Sequence, residues 1–260
     1  MQNEIAPISP VRYADGLYYI GTEKYPSWLI ESTDGVILID TAGPNDLDFI
    51  IENIRKVGHA PSEIRHIIHS HGHFDHFGCT KALVEISGAK TYIGEPDADA
   101  VRGKNELHWS NEADLAFDFG FEPDVLIRDG DVINIGERSF RFVLTPGHTA
   151  GTVSIFFTVT HGGREYKAGT FGGAGVNSIQ RWYLEKHSLP FTLREDFLRS
   201  IDKIYDEVVE VHIGNHLSAN NHRDKVSRMS TEDNPFIETE SWRAWLDKRR
   251  LDVQKIIAED

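Results

Sequence analysis

At 260 residues the chain is long enough to bury a sizeable core, and 40% hydrophobic with 26% charged residues is ordinary globular composition. Its formal net charge of −14 sets the surface against phosphate backbones, so a nucleic-acid partner is not expected. One cysteine, Cys79, excludes an intrachain disulfide, and no apolar run reaches the roughly 18 residues of a membrane span. The opening MQNEIAPISPVRY lacks the basic-then-apolar pattern of a secretory signal. The expectation is a cytoplasmic chain, or a periplasmic or secreted one whose signal has been removed.

Taken in order, residues 17–20, 27–30 and 36–40 read as strands, with Asp34-Gly35 as the hairpin turn between the last two. Leu47, Ile50, Ile51 and Ile54 recur at helical spacing, and Gly58 ends that helix. Residues 64–69 form a short apolar strand that runs into HSHGHFDHFG. A helix over 81–86 and a strand over 91–93 follow. Residues 103–123 are irregular, rich in charge and in aromatics such as Trp109 and Phe117, with His108 among them, and read as a long loop or short helices over a site. Strands are expected at 132–135, 140–144, 152–157 and 166–169, the last entering the glycine-rich loop 169–175. A helix over 193–206, a strand over 208–213 and a last helix from about Glu240, carrying Trp242, Trp245 and Leu251, complete the chain. The alternation implies a layered α/β fold, and the lack of a linker, low-complexity segment or repeat implies a single domain over 1–260.

The chemistry concentrates in His71-x-His73-x-Asp75-His76. A regular strand would split these side chains between two faces. A tight loop through Gly72 can instead aim His71 and His73 at one metal and Asp75 and His76 at a neighbour. Imidazole with carboxylate suits zinc, with iron or manganese as alternatives. Packed without a metal, three histidines and an aspartate would repel on protonation and cost stability. Two three-coordinate sites need two more ligands. His148 sits in the sharp turn TPGHTAG after a strand, and His216 follows a strand end in IGNHL, with His212 as its competitor. His69 and His212 otherwise read as structural or supporting, and His59, His66, His108, His161, His187 and His222 as surface or packed residues.

The order HxHxDH, then a Pro-Gly-His turn, then a late strand-end histidine resembles the metallo-β-lactamase superfamily over nearly the whole chain. Leu17 to Gly21, Trp28 to Ile30 and Ile37 to Asp40 resemble its opening hairpins, and Asn234-Pro235-Phe236-Ile237-Glu238 resembles the closing segment of its third β-lactamase subclass. The resemblance implies a four-layer αββα sandwich with the site at one edge of two sheets. It implies a first zinc on His71, His73 and His148, a second on Asp75, His76 and His216, and Asp40 in support. Many superfamily hydrolases carry a metal-bridging aspartate where this chain has Thr170, in Ala168-Gly169-Thr170-Phe171. The first two β-lactamase subclasses carry cysteine there, and Cys79 is remote in sequence. The third subclass has neither, although the loop 169–175 is richer in glycine than expected.

The implied activity is zinc-dependent hydrolysis, in which a metal-bridging hydroxide attacks a carbonyl, first of all a β-lactam amide, with Asp75 orienting it and shuttling its proton. Asn177, Gln180, Arg181 and Tyr183 lie in the following loop and either touch substrate or belong to a solvated loop, and Trp109 and Trp182 suggest pocket walls. The alternatives are hydrolysis of another ester, lactone or thioester, an iron-dependent oxidoreductase on the same scaffold, and a non-enzymatic zinc-binding scaffold. The expected partner is a small-molecule substrate, with neither nucleic acid nor membrane. Oligomeric state is not legible.

Overall fold

Alternation along the strands decides which side chains go to which layer. In the computed structural model, which describes residues 8–230 and 233–260, the first sheet has seven strands in chain order. They are Val11–Ala14 (β1), Leu17–Tyr19 (β2), Trp28–Ser32 (β3), Gly35–Ile39 (β4), Ile64–Ile68 (β5), Lys90–Gly94 (β6) and Val125–Ile127 (β7). β1 to β4 pair antiparallel, and Ser32↔Gly35 closes the hairpin expected at Asp34-Gly35. From β4 to β7 the pairing is parallel, so each crossover needs a covering segment. Leu47–Lys56 (α1) covers the first, Phe74–Phe77 (α2) with Thr80–Ser87 (α3) the second, and Ala98–Val101 (α4) begins the third.

The second sheet has five strands in the order β12-β11-β10-β9-β8. These are Val132–Ile135 (β8), Arg138–Leu144 (β9), Val153–His161 (β10), Arg164–Thr170 (β11) and Val211–His212 (β12). β8 to β11 are antiparallel; β12 returns parallel to β11 after Arg181–Lys186 (α5) and Leu193–Ile204 (α6). His222–Arg228 (α7) and Glu240–Glu259 (α8) end the described chain.

Trp28, Ile30, Ile37 and Ile39 meet Phe140, Phe142, Val153, Ile155 and Phe157 in one core between the sheets. The intervening Leu29, Val36 and Leu38 point the other way, onto Ile50 and Ile54 of α1 and Leu83 of α3. Beyond the second sheet, Val143 and Phe156 pack on Phe197 and Ile201 of α6 and on Trp242, Leu246 and Val253 of α8. Period-two burial on both sheets thus yields the four-layer αββα sandwich, of the metallo-β-lactamase fold, that the sequence implies. Among the described residues, no helix is long and apolar enough to cross a membrane.

One expectation needs correction, and several short elements were not anticipated. The strand over 208–213 shrinks to Val211–His212, because its parallel partner β11 pairs only at Ala168 and Gly169 before the chain turns off towards Gly214. The short strands β1 and β7 and the helices α5 and α7 escape the periodicity because each is too brief to repeat a pattern. Residues 103–123 are irregular as expected, apart from one 3-10 turn at Asn111–Ala113, and are pinned by aromatics: Phe117, Phe119 and Phe121 all pack against Phe77.

Phe142→Ala empties part of the inter-sheet core and is expected to cost about 3–5 kcal/mol in denaturant unfolding. Ile257→Ala, on the open side of α8, should stay within about 0.5 kcal/mol.

Candidate metal centre

The HxHxDH loop leaves β5 at Ile68 and closes into the one-turn helix α2, so its ligands project from a bend rather than from a strand. Asp40 holds that bend. It sits just after β4 with φ of 60°, a left-handed conformation that aspartate tolerates better than most residues. Its carboxylate accepts from Ser70 N (2.8 Å), Ser70 Oγ (2.7 Å) and His76 Nδ1 (2.7 Å). The supporting role implied for Asp40 is therefore visible as geometry. Phe74 N donates to His108 O, and Thr41 N donates to His76 O, which fastens α2 at both ends.

Four of the five candidate histidines have Nδ1 committed to an acceptor. His71 Nδ1 donates to Gly172 O (3.0 Å), His148 Nδ1 to Gly175 O (2.7 Å), His76 Nδ1 to Asp40 and His216 Nδ1 to Lys24 O (3.1 Å). A carbonyl or carboxylate oxygen only accepts here, so the proton sits on Nδ1 and Nε2 keeps a free lone pair. The Nε2 atoms of His71 and His148 face each other at 3.2 Å. Two lone pairs pointed together across that gap lack a proton to share, and a cation between them removes the conflict.

His73 completes this set. The rings of His71, His73 and His148 lie 4.5–4.8 Å apart at 79–82° to one another, a propeller about a common centre. One potential ligand atom from each lies within 4.8 Å of the others, and a second such group is formed by His71, Asp75 and His76. His76 Nε2 is buried without a hydrogen-bond partner, 3.6 Å from Asp75 Oδ2. His216 Nε2 approaches the same Asp75 oxygen at 3.6 Å, and its ring stands edge-on to His76 at 5.2 Å. Five of the six expected ligands fall in these two groups; His216 lies outside them, beside Asp75 and His76. His212 does not compete: its ring packs edge-on against Trp242, and it does not line the cleft. His69 is structural, bonded to Tyr92 O and Thr80 Oγ1.

The cleft above these residues encloses about 240 Å³. Lys24, Tyr25, Trp109, Asn177 and Gly175 line it with His73, Asp75, His148 and His216. Trp109 has φ of 64°, a strained state for a bulky residue, and is held there by a 4.4 Å stack on Tyr183. Trp182 packs against Trp109 at 5.9 Å. Arg181 instead pairs with Asp260 and Glu185, and Gln180 does not line the cleft.

Lys24 and the glycine loop were not legible as site elements. The loop's signal was its glycine density, and its cause is contact. A side chain at Gly172 would place Cβ 2.0 Å from Val153 O, and one at Gly173 would lie 2.7 Å from the His148 ring. The backbone must come this close for the carbonyls of Gly172 and Gly175 to reach two imidazoles.

Burial holds His71 and His73 well below the usual imidazole range, and the neighbouring imidazoles add to the effect. Burial likewise pushes His148 down to about 4, against the opposing pull of Gly175 O, and lowers His216 against the pull of Asp75. His76 is the exception. Burial lowers it, but Asp75 and Asp40 together prevail and raise it. Four neutral imidazoles and one carboxylate form a donor set suited to a divalent cation of zinc type.

A family model of the Metallo-beta-lactamase superfamily matches residues 21–161. The chain belongs to that superfamily. BJP-1, a subclass B3 metallo-beta-lactamase of Bradyrhizobium japonicum, is 27% identical with a TM-score of 0.90, covering 100% of this chain and 97% of that one. Native FEZ-1 metallo-beta-lactamase from Legionella gormanii is 26% identical with a TM-score of 0.87, covering 97% of each. Among curated proteins, the uncharacterized protein YobT of Bacillus subtilis is 26% identical over 186 residues, 69% of this chain and 77% of its own. The likeness to the third β-lactamase subclass noted in the sequence is therefore borne out in structure. Proteins of this superfamily fold are generally metal-dependent hydrolases.

The metal-free protein should lose stability on acidification. Above the unfolded value of about 6.5, His71, His73, His148 and His216 are neutral in both states. Below it the unfolded chain protonates first, because the folded values are depressed, so stability falls from about pH 6.5 towards 4. His76, raised, opposes this: its contribution is present below about 6.5 and is lost as pH rises through the folded value. One group against four leaves the net fall, measurable as a melting temperature that drops between pH 7 and pH 5.

Proposed function

We propose that the chain is a two-zinc hydrolase that opens the amide of a β-lactam. The observation that carries this is the 3.2 Å approach of His71 Nε2 to His148 Nε2, with both tautomers set by the loop carbonyls. His71, His73 and His148 would hold the first ion, and Asp75, His76 and His216 the second. A divalent cation bound there supplies Lewis acidity, polarising a carbonyl oxygen and acidifying water.

The remaining steps belong to the side chains. Asp75, placed between His76 and His216, orients the attacking water by accepting its hydrogen bond, takes its proton as the carbonyl carbon is attacked, and returns it to the amide nitrogen as the C–N bond breaks. Asn177 lines the cleft and offers an amide N–H to the oxygen that gains charge. Lys24, on the turn that also holds His216, presents an ammonium to the carboxylate of the substrate. Trp109 and Tyr25 form the apolar wall that shields the reacting carbonyl from bulk water. Among the six proposed ligands only Asp75 carries a negative charge, so the second ion is held more weakly than in a relative with a bridging carboxylate.

Zinc-loaded protein tested on β-lactams, lactones and thioesters decides the substrate. Turnover of β-lactams is expected; turnover of lactones or thioesters alone would move the activity to those carbonyls, and bound iron with oxygen consumption would make the protein an oxidoreductase. His148→Ala should weaken the first zinc by at least ~100-fold in chelator competition, beyond the range of a supporting residue. Lys24→Ala should raise KM for a carboxylate-bearing substrate about tenfold, and much less for an uncharged lactone.

A further inference from the structure

Asp97 carries a carboxylate that neither the sequence motifs nor the proposed ligand set uses. It lies in the 3-10 turn Glu95–Asp97 between β6 and α4, and its residue is only 5% exposed. Burial raises its pKa against three hydrogen bonds. Gly72 N donates to Oδ2 at 2.8 Å, Thr149 Oγ1 to the same oxygen at 2.6 Å, and Gly151 N to Oδ1 at 2.7 Å. Gly72 lies between His71 and His73, and Thr149 follows His148 directly. One buried side chain therefore spans the two loops, remote in sequence, that bear the three-histidine set.

The surrounding backbone is shaped for this approach. A Cβ at Gly72 would lie 3.1 Å from Asp97 Cβ, and one at Gly151 2.6 Å from Asp97 Cγ. A Cβ at Gly94, at the end of β6, would fall 2.0 Å from Gly151 O. These three glycines let the two loops close on the carboxylate. The side chain does not cap α4, although Asp97 occupies the position where a helix-capping aspartate would act.

We propose that Asp97 is a positioning residue that clips the HxHxDH loop to the Pro-Gly-His turn, and so sets the separation of His71, His73 and His148 at the first metal site. The inference rests on the metal-binding reading given above. It concerns how the three-histidine donor set is held, and assigns Asp97 no contact with substrate or metal.

Asparagine is the discriminating substitution. Both carboxylate oxygens accept from a backbone N–H. Whichever way the amide of Asp97→Asn turns, its NH2 meets either Gly72 N–H or Gly151 N–H, and one loop is released. Zinc affinities measured by chelator competition, with the cobalt(II) absorption spectrum as a second readout, should show the three-histidine site weakened 10–100-fold, as for a lost supporting hydrogen bond, and an altered ligand field. The site of Asp75, His76 and His216 should change less. Thr149→Val deletes one bond and should give a smaller loss of the same sign, and it decides the matter if Asp97→Asn does not fold. Ile204→Val, in the outer core away from the clip, lowers stability and should leave zinc affinity unchanged. Folded Asp97→Asn with wild-type affinity and spectrum overturns the proposal, as does equal weakening by Ile204→Val. Wild-type protein that binds no metal overturns the proposed function itself and the clip with it, whereas metal-binding wild type with an unaltered Asp97→Asn overturns the clip alone.

Discussion

An imidazole has two nitrogens, and committing one of them decides what the other can do. At this site the commitment is made four times, by Gly172, Gly175, Asp40 and Lys24, and each time on Nδ1. The freed Nε2 atoms then face a common volume in which, among the described residues, no donor answers His76 Nε2. The rest of the structure serves this arrangement. The sandwich brings β4, β5 and β11 to one edge, where Asp40, the HxHxDH loop and the glycine loop begin, and the Pro-Gly-His turn between β9 and β10 joins them.

The commitment is costly to build. Four histidines held with depressed pKa values, a buried carboxylate at Asp40 and another at Asp97 are all unfavourable to bury alone. They are tolerated because every carboxylate is answered by several donors and because the layers on either side are apolar and closely packed. Two of the six left-handed non-glycine residues among those described, Asp40 and Trp109, belong to this site.

Much of this was legible in the residues because it depends on short spacing. Strand alternation at 28–39, the helical spacing of Leu47 to Ile54 and the ligand density of HxHxDH each speak within a few positions, and all appear in the structure. His216 could be separated from His212 only in three dimensions, because both sit at a strand end and the difference lies in which layer each ring enters. Asp97 and Lys24 were silent for a similar reason. Asp97 acts through bonds to residues 25 and 52–54 positions away, and Lys24 acts through its carbonyl, which every residue possesses. The glycine loop was visible as composition, but its purpose was not, since closeness of backbone to imidazole leaves no periodic trace.

Lys24 joins two tasks in one residue. Its carbonyl steers His216 while its side chain borders the cleft, so anything that tugs the turn at 22–25 also rotates an imidazole. On the proposed ligand set, occupancy of the cleft and of the second cation position would in consequence be thermodynamically linked. Whatever factor a bound guest applies to the grip on that cation, the cation returns to the guest, and the observed affinity for either depends on the free concentration of the other.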